Sequence, residues 1–372
     1  MGRLGEDHVI CQGCGVTVQS ENKSLPGYVP SSALNNDMVV CQRCFRLKHY
    51  NEIQDVPYTD SDFLKMISQI SETKGLIVKI VDIFDFSGSF IDSLHRLTGS
   101  DNPIILVGNK LDLLPKSTNL NRLKHWMKKT AADLGLTIQD VFLVSAKTGQ
   151  GYDQVKEGIE QYRKGQDVYV VGSTNVGKST FINYLINDST GTKDAITTSY
   201  FPGTTLGFIE IPIDEHASLY DTPGVINRGQ ITHYLTDQDI KKITPNKEIK
   251  PRVYQLNQEQ TLYIAGLARF DFIKGERQAF VCYFANQLDI HRTKLENAEN
   301  LYLDHLGDML SPPTGKGKEQ YPALQEKTFK VNGEKTDIVF PGLGWITLSG
   351  SLATITVSTP NDVPVSKRNA II

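Results

Sequence analysis

The sequence lacks several features that would assign it to other classes of protein. None of its 372 residues lies in an apolar run that approaches a membrane span, and residues 1–7 lack the apolar core of a signal peptide. Glu6 stands where an N-myristoylation pattern needs Ser or Thr. The net charge is only −3, so charge alone does not indicate a nucleic-acid partner. These absences predict a cytoplasmic protein that does not enter membranes.

Cysteine is scarce, and four of the five cysteines fall in two close pairs of the form C-x₂-C. The paired residues are Cys11, Cys14, Cys41 and Cys44. In a reducing compartment this pattern predicts a tetrahedral Zn²⁺ site with four thiolate ligands, and the alternative is four unrelated reduced thiols. Apolar burial could not hold together so short a segment, so we expect the metal to stabilise the fold of residues 1–54.

The most informative motif is a glycine-rich sequence over residues 172–179, which reads Gly-Ser-Thr-Asn-Val-Gly-Lys-Ser. It follows a β-branched run over 167–171 and precedes apolar residues at helical spacing over 179–186. A strand, a glycine-rich loop and a helix start form a polyphosphate site, because backbone N–H groups and the helix dipole favour an anion. Its predicted nucleotide contacts are Gly172, Asn175, Val176, Gly177, Lys178, Ser179 and Thr180, with Lys178 on the phosphates and the Ser179 hydroxyl on Mg²⁺.

Strand and helix patterns alternate through residues 55–227. Buried strands are predicted at 76–81, 103–107, 141–144, 167–171 and near 219, and helices at 62–70, 90–97, 120–134, 155–162 and 179–186. Such alternation predicts an α/β domain with a doubly wound, mostly parallel sheet. Ligands of these sheets bind at the carboxyl ends of the strands.

Further polar motifs follow the ends of those strands or lie between them. They comprise Asn109, Lys110 and Asp112 after one strand, Ser145, Ala146 and Lys147 after the next, Asp221 and Gly224 after the last, and Thr204 and Thr205 in the turn-forming stretch before it. Because parallel strands end at one rim of the sheet, we expect the strand-end motifs to lie there with the glycine-rich loop.

These motifs resemble the signatures of the translation-factor-like GTPases, namely N-K-x-D, S-A-K, G-x-x-x-x-G-K-S, a threonine-bearing switch loop and D-x-x-G. Their order is unusual, because N-K-x-D and S-A-K here precede the phosphate loop, which resembles a circularly permuted GTPase. Native termini often lie close together, so such a permutation leaves the sheet intact. With the four-cysteine module, the chain resembles the YqeH-type GTPases, which act in small (30S) ribosomal subunit assembly.

The resemblance implies a role for each motif residue. Asp112 would accept hydrogen bonds from guanine and so favour GTP over ATP, because adenine would leave its carboxylate unpaired. Asn109 and Lys110 would support the base pocket, with the Ala146 N–H on the guanine oxygen. Thr205, or alternatively Thr204, would ligate Mg²⁺.

The same resemblance places two further residues at the phosphates. Asp221 would hold Mg²⁺ through water, and the Gly224 N–H would contact the γ-phosphate. The residues predicted to act in catalysis are Lys178, Thr205, Gly224 and Asn175.

One position departs from the Ras-like pattern. Val225 stands where those enzymes carry the glutamine that orients the attacking water, which predicts slow intrinsic hydrolysis. The resemblance to potassium-dependent GTPases suggests that Asn175 helps hold a K⁺ near the phosphates. The alternative is that Asn175 only forms hydrogen bonds within the loop.

From residue 228 the alternation stops, and residues 228–372 are predicted to form a mainly antiparallel β domain that binds RNA or the ribosome. Strands are predicted at 261–272, 278–285, 328–331, 337–340, 345–348 and 353–357, a helix at 293–310 and a loose tail at 365–372. Cys282 lies in a strand-like apolar run and is predicted to be a core residue.

The motifs favour a GTP-hydrolysing switch that acts on the small ribosomal subunit or its rRNA. The alternatives are a non-catalytic, guanine-nucleotide-dependent scaffold that recruits proteins through the zinc module, and a nucleotide-dependent metabolic enzyme. A basic and aromatic cluster comprises Arg43 and residues 45–50. Two environments are predicted for it, a phosphate backbone or solvent.

The sequence predicts no oligomeric state.

Overall fold

The computed structural model of the protein describes residues 9–12, 16–34, 38–50, 67–91, 94–99, 101–189, 209–222, 224, 227, 229–348 and 350–372. The chain forms two compact units: the first comprises residues 1–111 and 124–226, and the second comprises residues 112–123 and 227–372. The predicted functional division at residues 54 and 227 stays a prediction. Among the described residues, no helix is long and apolar enough to cross a membrane.

The first unit contains a six-stranded sheet. Its strands are β1 (Gly75–Asp82), β2 (Ile104–Asn109), β3 (Val141–Leu143), β4 (Asp167–Gly172), β5 (Ile209–Pro212) and β6 (Ser218–Asp221). Their order in the sheet is β3-β2-β1-β4-β6-β5, and every neighbouring pair is parallel except β5 with β6. The predicted mostly parallel sheet is therefore confirmed. The edge strand β5 was not predicted.

The described helices of residues 42–189 mostly match the sequence periodicity. They are α1 (Gln42–Tyr50), α2 (Phe86–Ser89), α3 (Leu94–Thr98), α4 (Leu120–Asp133), α5 (Tyr152–Arg163) and α6 (Lys178–Ser189). Of the helix predicted at 62–70, residues 67–69 are helical, and residues 62–66 lie outside the described part.

The single helix predicted at 90–97 is wrong, because α2 ends at Ser89 and α3 begins at Leu94. Between them Phe90 is extended, and its ring lies 4.2 Å from the Lys79 ammonium. Lys79 is fully buried in β1, so this ring contact helps to accommodate the charge in the interior. The apolar spacing of residues 90–97 does not indicate that Phe90 contacts a buried lysine of β1.

The second unit contains two antiparallel five-stranded sheets, which confirms the predicted class of its fold. One has the order β16-β13-β14-β10-β7 and the other the order β11-β8-β9-β15-β12. The strands are β7 (Arg252–Leu256), β8 (Gln260–Ile264), β9 (Ala268–Gly275), β10 (Gln278–Phe284), β11 (Ile290–Lys294), β12 (Leu324–Asn332), β13 (Thr336–Phe340), β14 (Gly344–Leu348), β15 (Leu352–Pro360) and β16 (Ser366–Asn369). Helices α7 (Asp237–Ile243), α8 (Leu295–His305) and α9 (Lys316–Gln320) complete the unit.

Apolar residues of both sheets form one core in the second unit. Cys282 belongs to it and is fully buried, as predicted, and burial raises the pKa of its thiol to about 12. Residues 112–123 also bond within this unit: the Ile249 N–H donates to the Leu113 carbonyl over 2.9 Å, and the Arg122 guanidinium donates to the Ala370 carbonyl over 2.8 Å. The sequence pattern did not indicate these pairings.

Three local predictions in the second unit are wrong. Residues 261–272 form the hairpin β8–β9 rather than one strand, since Ala265 takes a left-handed φ of 49° and turns the chain. The helix predicted at 293–310 is the shorter α8, because residues 290–294 pair with β8 as β11. The tail is not loose, because β16 pairs with β13.

Candidate functional site

Four strands of the first unit carry the sequence motifs to one rim of its sheet. The parallel register places Asp82 of β1 beside Asn109 of β2, and Ile80 of β1 beside Gly172 of β4. Asp221 of β6 lies beside Val170 of β4. The rim therefore combines motifs that are far apart in the chain.

The Asn109 side chain joins three of these motifs. Its Nδ2 donates to the Val176 carbonyl of the glycine-rich loop over 2.9 Å, and its Oδ1 accepts from the Ala146 N–H over 3.0 Å. Asn109 is almost fully buried, so both ends of its amide need partners. The loops that follow β2, β3 and β4 are thus held in one arrangement by a single side chain.

Lys110 lies beside Asn109 in an unusual conformation. Its φ of 67° is left-handed, and its Nζ lies 2.7 Å from the Asp82 Oδ2. The other oxygen of Asp82 accepts from the Phe84 N–H over 2.9 Å. The ion pair fixes the lysine stem at the rim, a position from which it can support a planar ligand.

The glycine-rich loop has the backbone that anion binding requires. Asn175 and Gly177 both have left-handed φ values, of 65° and 83°. A Cβ on Gly177 would lie 2.5 Å from the Asn109 Nδ2, and one on Gly172 would lie 3.0 Å from the Ile80 carbonyl oxygen. Glycine is therefore needed at position 177, where φ is also left-handed, and it allows a close approach to β1 at position 172. The loop leads directly into α6, whose N-terminus favours a phosphate.

A cluster of buried charges lies next to this loop. The Lys178 ammonium pairs with the Asp221 Oδ1, and the Arg43 guanidinium pairs with the Asp221 Oδ2. Neither proposed environment of Arg43, a phosphate backbone or solvent, is right, since its side chain is buried against a carboxylate. Phe45 of the same predicted cluster is exposed. The side chains of residues 47–50 lie outside the described part.

The remaining predicted site residues differ in their placement. Ser145 is fully buried, and its Oγ accepts from the Thr148 N–H over 3.2 Å, whereas Lys147 is exposed. Ser179 is buried and Thr180 is exposed at the start of α6. Asp112 is partly exposed in the 3₁₀ turn Leu111–Leu113.

Gly224 is described, and a Cβ there would lie 3.2 Å from the Thr174 Cγ2, so this position also approaches the glycine-rich loop closely. Asn175 is exposed, and its predicted potassium role stays a prediction. The residues Cys14, Thr204, Thr205 and Val225 lie outside the described part of the chain.

Three of the four predicted zinc ligands come together. The sulfur atoms of Cys11, Cys41 and Cys44 lie within 4.8 Å of one another, and all three side chains are buried. The Cys41 N–H donates to the Cys11 Sγ over 3.2 Å, which links the two cysteine pairs directly. Three converging buried thiols fit a soft-ligand metal such as Zn²⁺.

The rim residues also fit a nucleotide with its magnesium ion. Lys178 supplies a buried cation, the loop supplies left-handed turns with N–H groups, and Asp221 supplies a carboxylate oxygen. Hard oxygen ligands and a hydroxyl such as that of Ser179 are what Mg²⁺ prefers.

The motif analysis did not predict Asp82 and Arg43 as site residues. Asp82 ends a buried strand, so the rule that ligands bind at strand ends could have identified it. No comparable signal marks Arg43, which lies 178 residues from its partner Asp221 in the chain.

Comparison with known proteins agrees with this geometry. The family described as "50S ribosome-binding GTPase" matches residues 167–263, which begin at β4 and include the glycine-rich loop. The family described as "YqeH-like, C-terminal" matches residues 277–371 of the second unit.

Relatives match the chain over different lengths. YqeH of Bacillus subtilis (strain 168) is 56% identical over 98% of this chain and 100% of its own length. NO-associated protein 1, chloroplastic/mitochondrial, of Arabidopsis thaliana is 31% identical over 91% of this chain and 69% of its own length. GTPase Der of Francisella tularensis subsp. novicida is 36% identical over 89 residues, which are 23% of this chain and 18% of that protein.

The motif order along the chain separates this sheet from that of an ordinary GTPase. The glycine-rich loop follows β4, while the N-K-x-D and S-A-K motifs follow the earlier strands β2 and β3. The strands β2, β3 and β4 are nevertheless parallel members of one sheet, with only β1 between β2 and β4. The chain therefore belongs to the YqeH family, and it carries a circularly permuted GTPase domain that binds and hydrolyses GTP.

Proposed function

We propose that the rim of the first unit's sheet binds GTP, with the triphosphate on the glycine-rich loop and the base at the loops that follow β2 and β3. The single observation that supports this most directly is the Asn109 amide, which bonds to both Val176 and Ala146. These bonds hold the phosphate loop and the base loops in a fixed relation. A ligand that must contact both ends at once, as a nucleoside triphosphate does, needs that preorganisation.

Base recognition is proposed to depend on Asp112 and its neighbours. The Asp112 carboxylate accepts from the guanine N1–H and 2-amino groups, and the Ala146 N–H donates to the guanine oxygen. Lys110, fixed by Asp82, supports the base. Adenine would leave the carboxylate without donors, which explains a preference for GTP.

The phosphates are proposed to lie along residues 172–180. Lys178 contacts the β- and γ-phosphates, and the Gly224 N–H contacts the γ-phosphate. Ser179, Asp221 and Thr205, or alternatively Thr204, would hold Mg²⁺, directly or through water. When bound, Mg²⁺ neutralises charge that develops on the phosphate oxygens.

Hydrolysis is proposed to be slow without a partner. Val225 has an aliphatic side chain and cannot orient the attacking water as glutamine does in Ras. The exposed side chain of Asn175 is open to solvent and could accept a K⁺ beside the phosphates or a hydrogen bond within the loop. Either a cation or a partner protein would then stabilise the charge that develops on the phosphates during hydrolysis.

The proposed role is a GTP-dependent switch in assembly of the small (30S) ribosomal subunit, acting on rRNA or a pre-ribosomal particle in the cytoplasm. Support for a ribosomal partner comes from the match to the family described as "50S ribosome-binding GTPase", whereas the choice of the small subunit rests on the resemblance to the YqeH-type GTPases. A cysteine cluster and a separate antiparallel β unit provide surfaces beyond the nucleotide site. The metal there is proposed to be Zn²⁺, with Cys14 as its fourth ligand.

The subunit proposal is tested by co-sedimentation with isolated 30S and 50S particles, in GDP and in a non-hydrolysable GTP analogue. We expect binding to 30S that is stronger in the analogue, and GTP turnover that rises when 30S is added. A Lys178→Ala variant is the control for nucleotide dependence. Association with 50S alone would overturn the choice of subunit, and turnover no higher than that of Lys178→Ala would favour the non-catalytic scaffold.

Glycine at position 177 is predicted to be essential for nucleotide binding. A Gly177→Ala variant would place its Cβ 2.5 Å from the Asn109 Nδ2, so we expect GTP affinity to fall by about tenfold or more. Gly165→Ala is the matched control, since Gly165 also has a left-handed φ, of 77°, but has nothing within 4 Å of the added Cβ. The control should lose about 1–2 kcal/mol of stability and keep its GTP affinity, as measured by calorimetry and denaturant unfolding. Equal GTP affinities in both variants would contradict the prediction.

Asp112→Asn is predicted to change base selectivity. Loss of hydrogen bonds to a charged acceptor should weaken GTP binding about 10- to 150-fold, since such bonds contribute about 1.5–3 kcal/mol. The amide can instead donate to the extra carbonyl of xanthine, so xanthosine triphosphate should bind the variant better than the wild type. Equilibrium binding of both nucleotides measures this. An unchanged GTP affinity would show that Asp112 does not read the base.

Zinc is predicted to bind at one ion per chain. Cys41→Ser removes one converging thiolate, so the purified variant should lose the metal and show increased protease cleavage near its N-terminus. Cys282→Ser is the control, because Cys282 lies in the core of the second unit and should not affect the metal content. Elemental analysis measures the zinc content of both variants. Full zinc retention in Cys41→Ser would refute the site.

A further inference from the structure

Both oxygens of one buried carboxylate at the nucleotide site are engaged by cations. The Lys178 Nζ donates to the Asp221 Oδ1, and the Arg43 Nη2 donates to the Asp221 Oδ2. The exposed fractions of the Arg43 and Asp221 side chains are 5% and 0%. At such burial an ion pair is weakly screened, so a further cation at Asp221 would be repelled by Lys178 and Arg43, and this repulsion favours the displacement of one of them.

The two cations come from different parts of the first unit. Lys178 belongs to the glycine-rich loop, whereas Arg43 lies between Cys41 and Cys44 at the start of α1. The sulfur atoms on either side of Arg43 converge with that of Cys11, and the Phe45 N–H donates to the Cys41 carbonyl over 2.9 Å. The guanidinium is therefore carried by a helical turn that lies between two of the converging cysteines.

Mg²⁺ and Arg43 would both bind at the carboxylate of Asp221, where two positive centres repel each other. Whether the ion binds Asp221 directly or through a water, it needs a lone pair that points into the site. A guanidinium donates to lone pairs of the same carboxylate, so its positive charge lies where the charge of the ion would lie. Lys178 has an alternative partner once a nucleotide is present, namely the phosphates, but Arg43 would lose its pairing with Asp221 to the ion.

We infer that Arg43 is a positioning residue of the nucleotide site that the cysteine module supplies. It holds Asp221 when Mg²⁺·GTP is absent and is exchanged for the ion when Mg²⁺·GTP binds. The inference rests on the proposed function in one respect, that Asp221 serves Mg²⁺. Through this exchange the contact between the cysteine module and the GTPase domain depends on the nucleotide state.

The exchange is tested by measuring GDP and GTP-analogue affinity as a function of Mg²⁺ concentration. In Arg43→Gln the ion no longer has to displace a guanidinium from Asp221. The Mg²⁺ concentration that gives half of its maximal effect on nucleotide affinity should therefore fall, by about 5- to 150-fold for couplings of ordinary size. Arg43→Lys keeps the charge with a single donor centre and should lie between Arg43→Gln and the wild type. A role that is merely structural would not shift the Mg²⁺ midpoint in this direction.

Lys23→Gln is the matched control, because Lys23 is exposed in the same module and its loss changes the charge equally. It should leave the Mg²⁺ midpoint at the wild-type value. Zinc content and circular dichroism of each variant establish that the module is intact. An Arg43→Gln variant that keeps zinc and has an unchanged or higher Mg²⁺ midpoint would overturn the inference.

Hydrogen exchange of the wild-type chain gives a second readout that needs no variant. Because coupling is reciprocal, amides of residues 41–46 should exchange faster with Mg²⁺ and a GTP analogue than with the analogue and a chelator. Equal exchange in the two conditions would overturn the inference. If wild-type nucleotide binding does not respond to Mg²⁺ at all, the Mg²⁺ role of Asp221 fails, and the inference fails with it.

Discussion

The Asn109 amide is the constraint on which the nucleotide site depends. It accepts from the Ala146 N–H and donates to the Val176 carbonyl, and it is almost fully buried. Each such bond contributes only about 0.5–1.5 kcal/mol, but a buried partner left unpaired costs about 1–3 kcal/mol. Replacing the side chain would therefore separate the base loops from the phosphate loop at a cost beyond the two bonds. Aspartate and leucine, which have a similar size, lack the donor or both polar groups, and glutamine carries its amide on a longer stem.

This dependence on spatial neighbours explains why a permuted chain can keep the site. The sheet order β3-β2-β1-β4-β6-β5 places the phosphate loop after a central strand, with β1 on one side and β6 on the other. Side-chain bonds then connect motifs whatever their order in the sequence, since parallel strands end at one rim. Lys110 bonds to Asp82 and Asn109 bonds to Val176 across this rim. Chain order affects how the sheet is connected, whereas these side-chain bonds depend only on which strand ends lie close together.

Sequence patterns predicted those elements whose structure is specified by residues close together in the chain. The fully buried run of β1 and the strand, loop and helix around Lys178 were recognisable because each element's own residues specify it. The hairpin β8–β9 was misread because its apolar alternation continues through the turn, where Ala265 has an unexpected left-handed φ. The charged strand β16 was misread because its stability comes from pairing with β13 at a sheet edge. Arg43 was misread because only the folded chain brings it to a carboxylate.

The burial of Arg43 also changes what the cysteine cluster can do. A metal that binds Cys41 and Cys44 fixes the backbone on both sides of the arginine, so it sets where the guanidinium meets Asp221. The proposed base contacts do not include that carboxylate, so a metal at the cysteines would have no direct effect on the choice between guanine and adenine. Zinc would instead change how Arg43 pairs with Asp221, and so change the binding of Mg²⁺ and the phosphates. Loss of the metal should then resemble loss of the Arg43 guanidinium, with an altered Mg²⁺ dependence and an unaltered base preference.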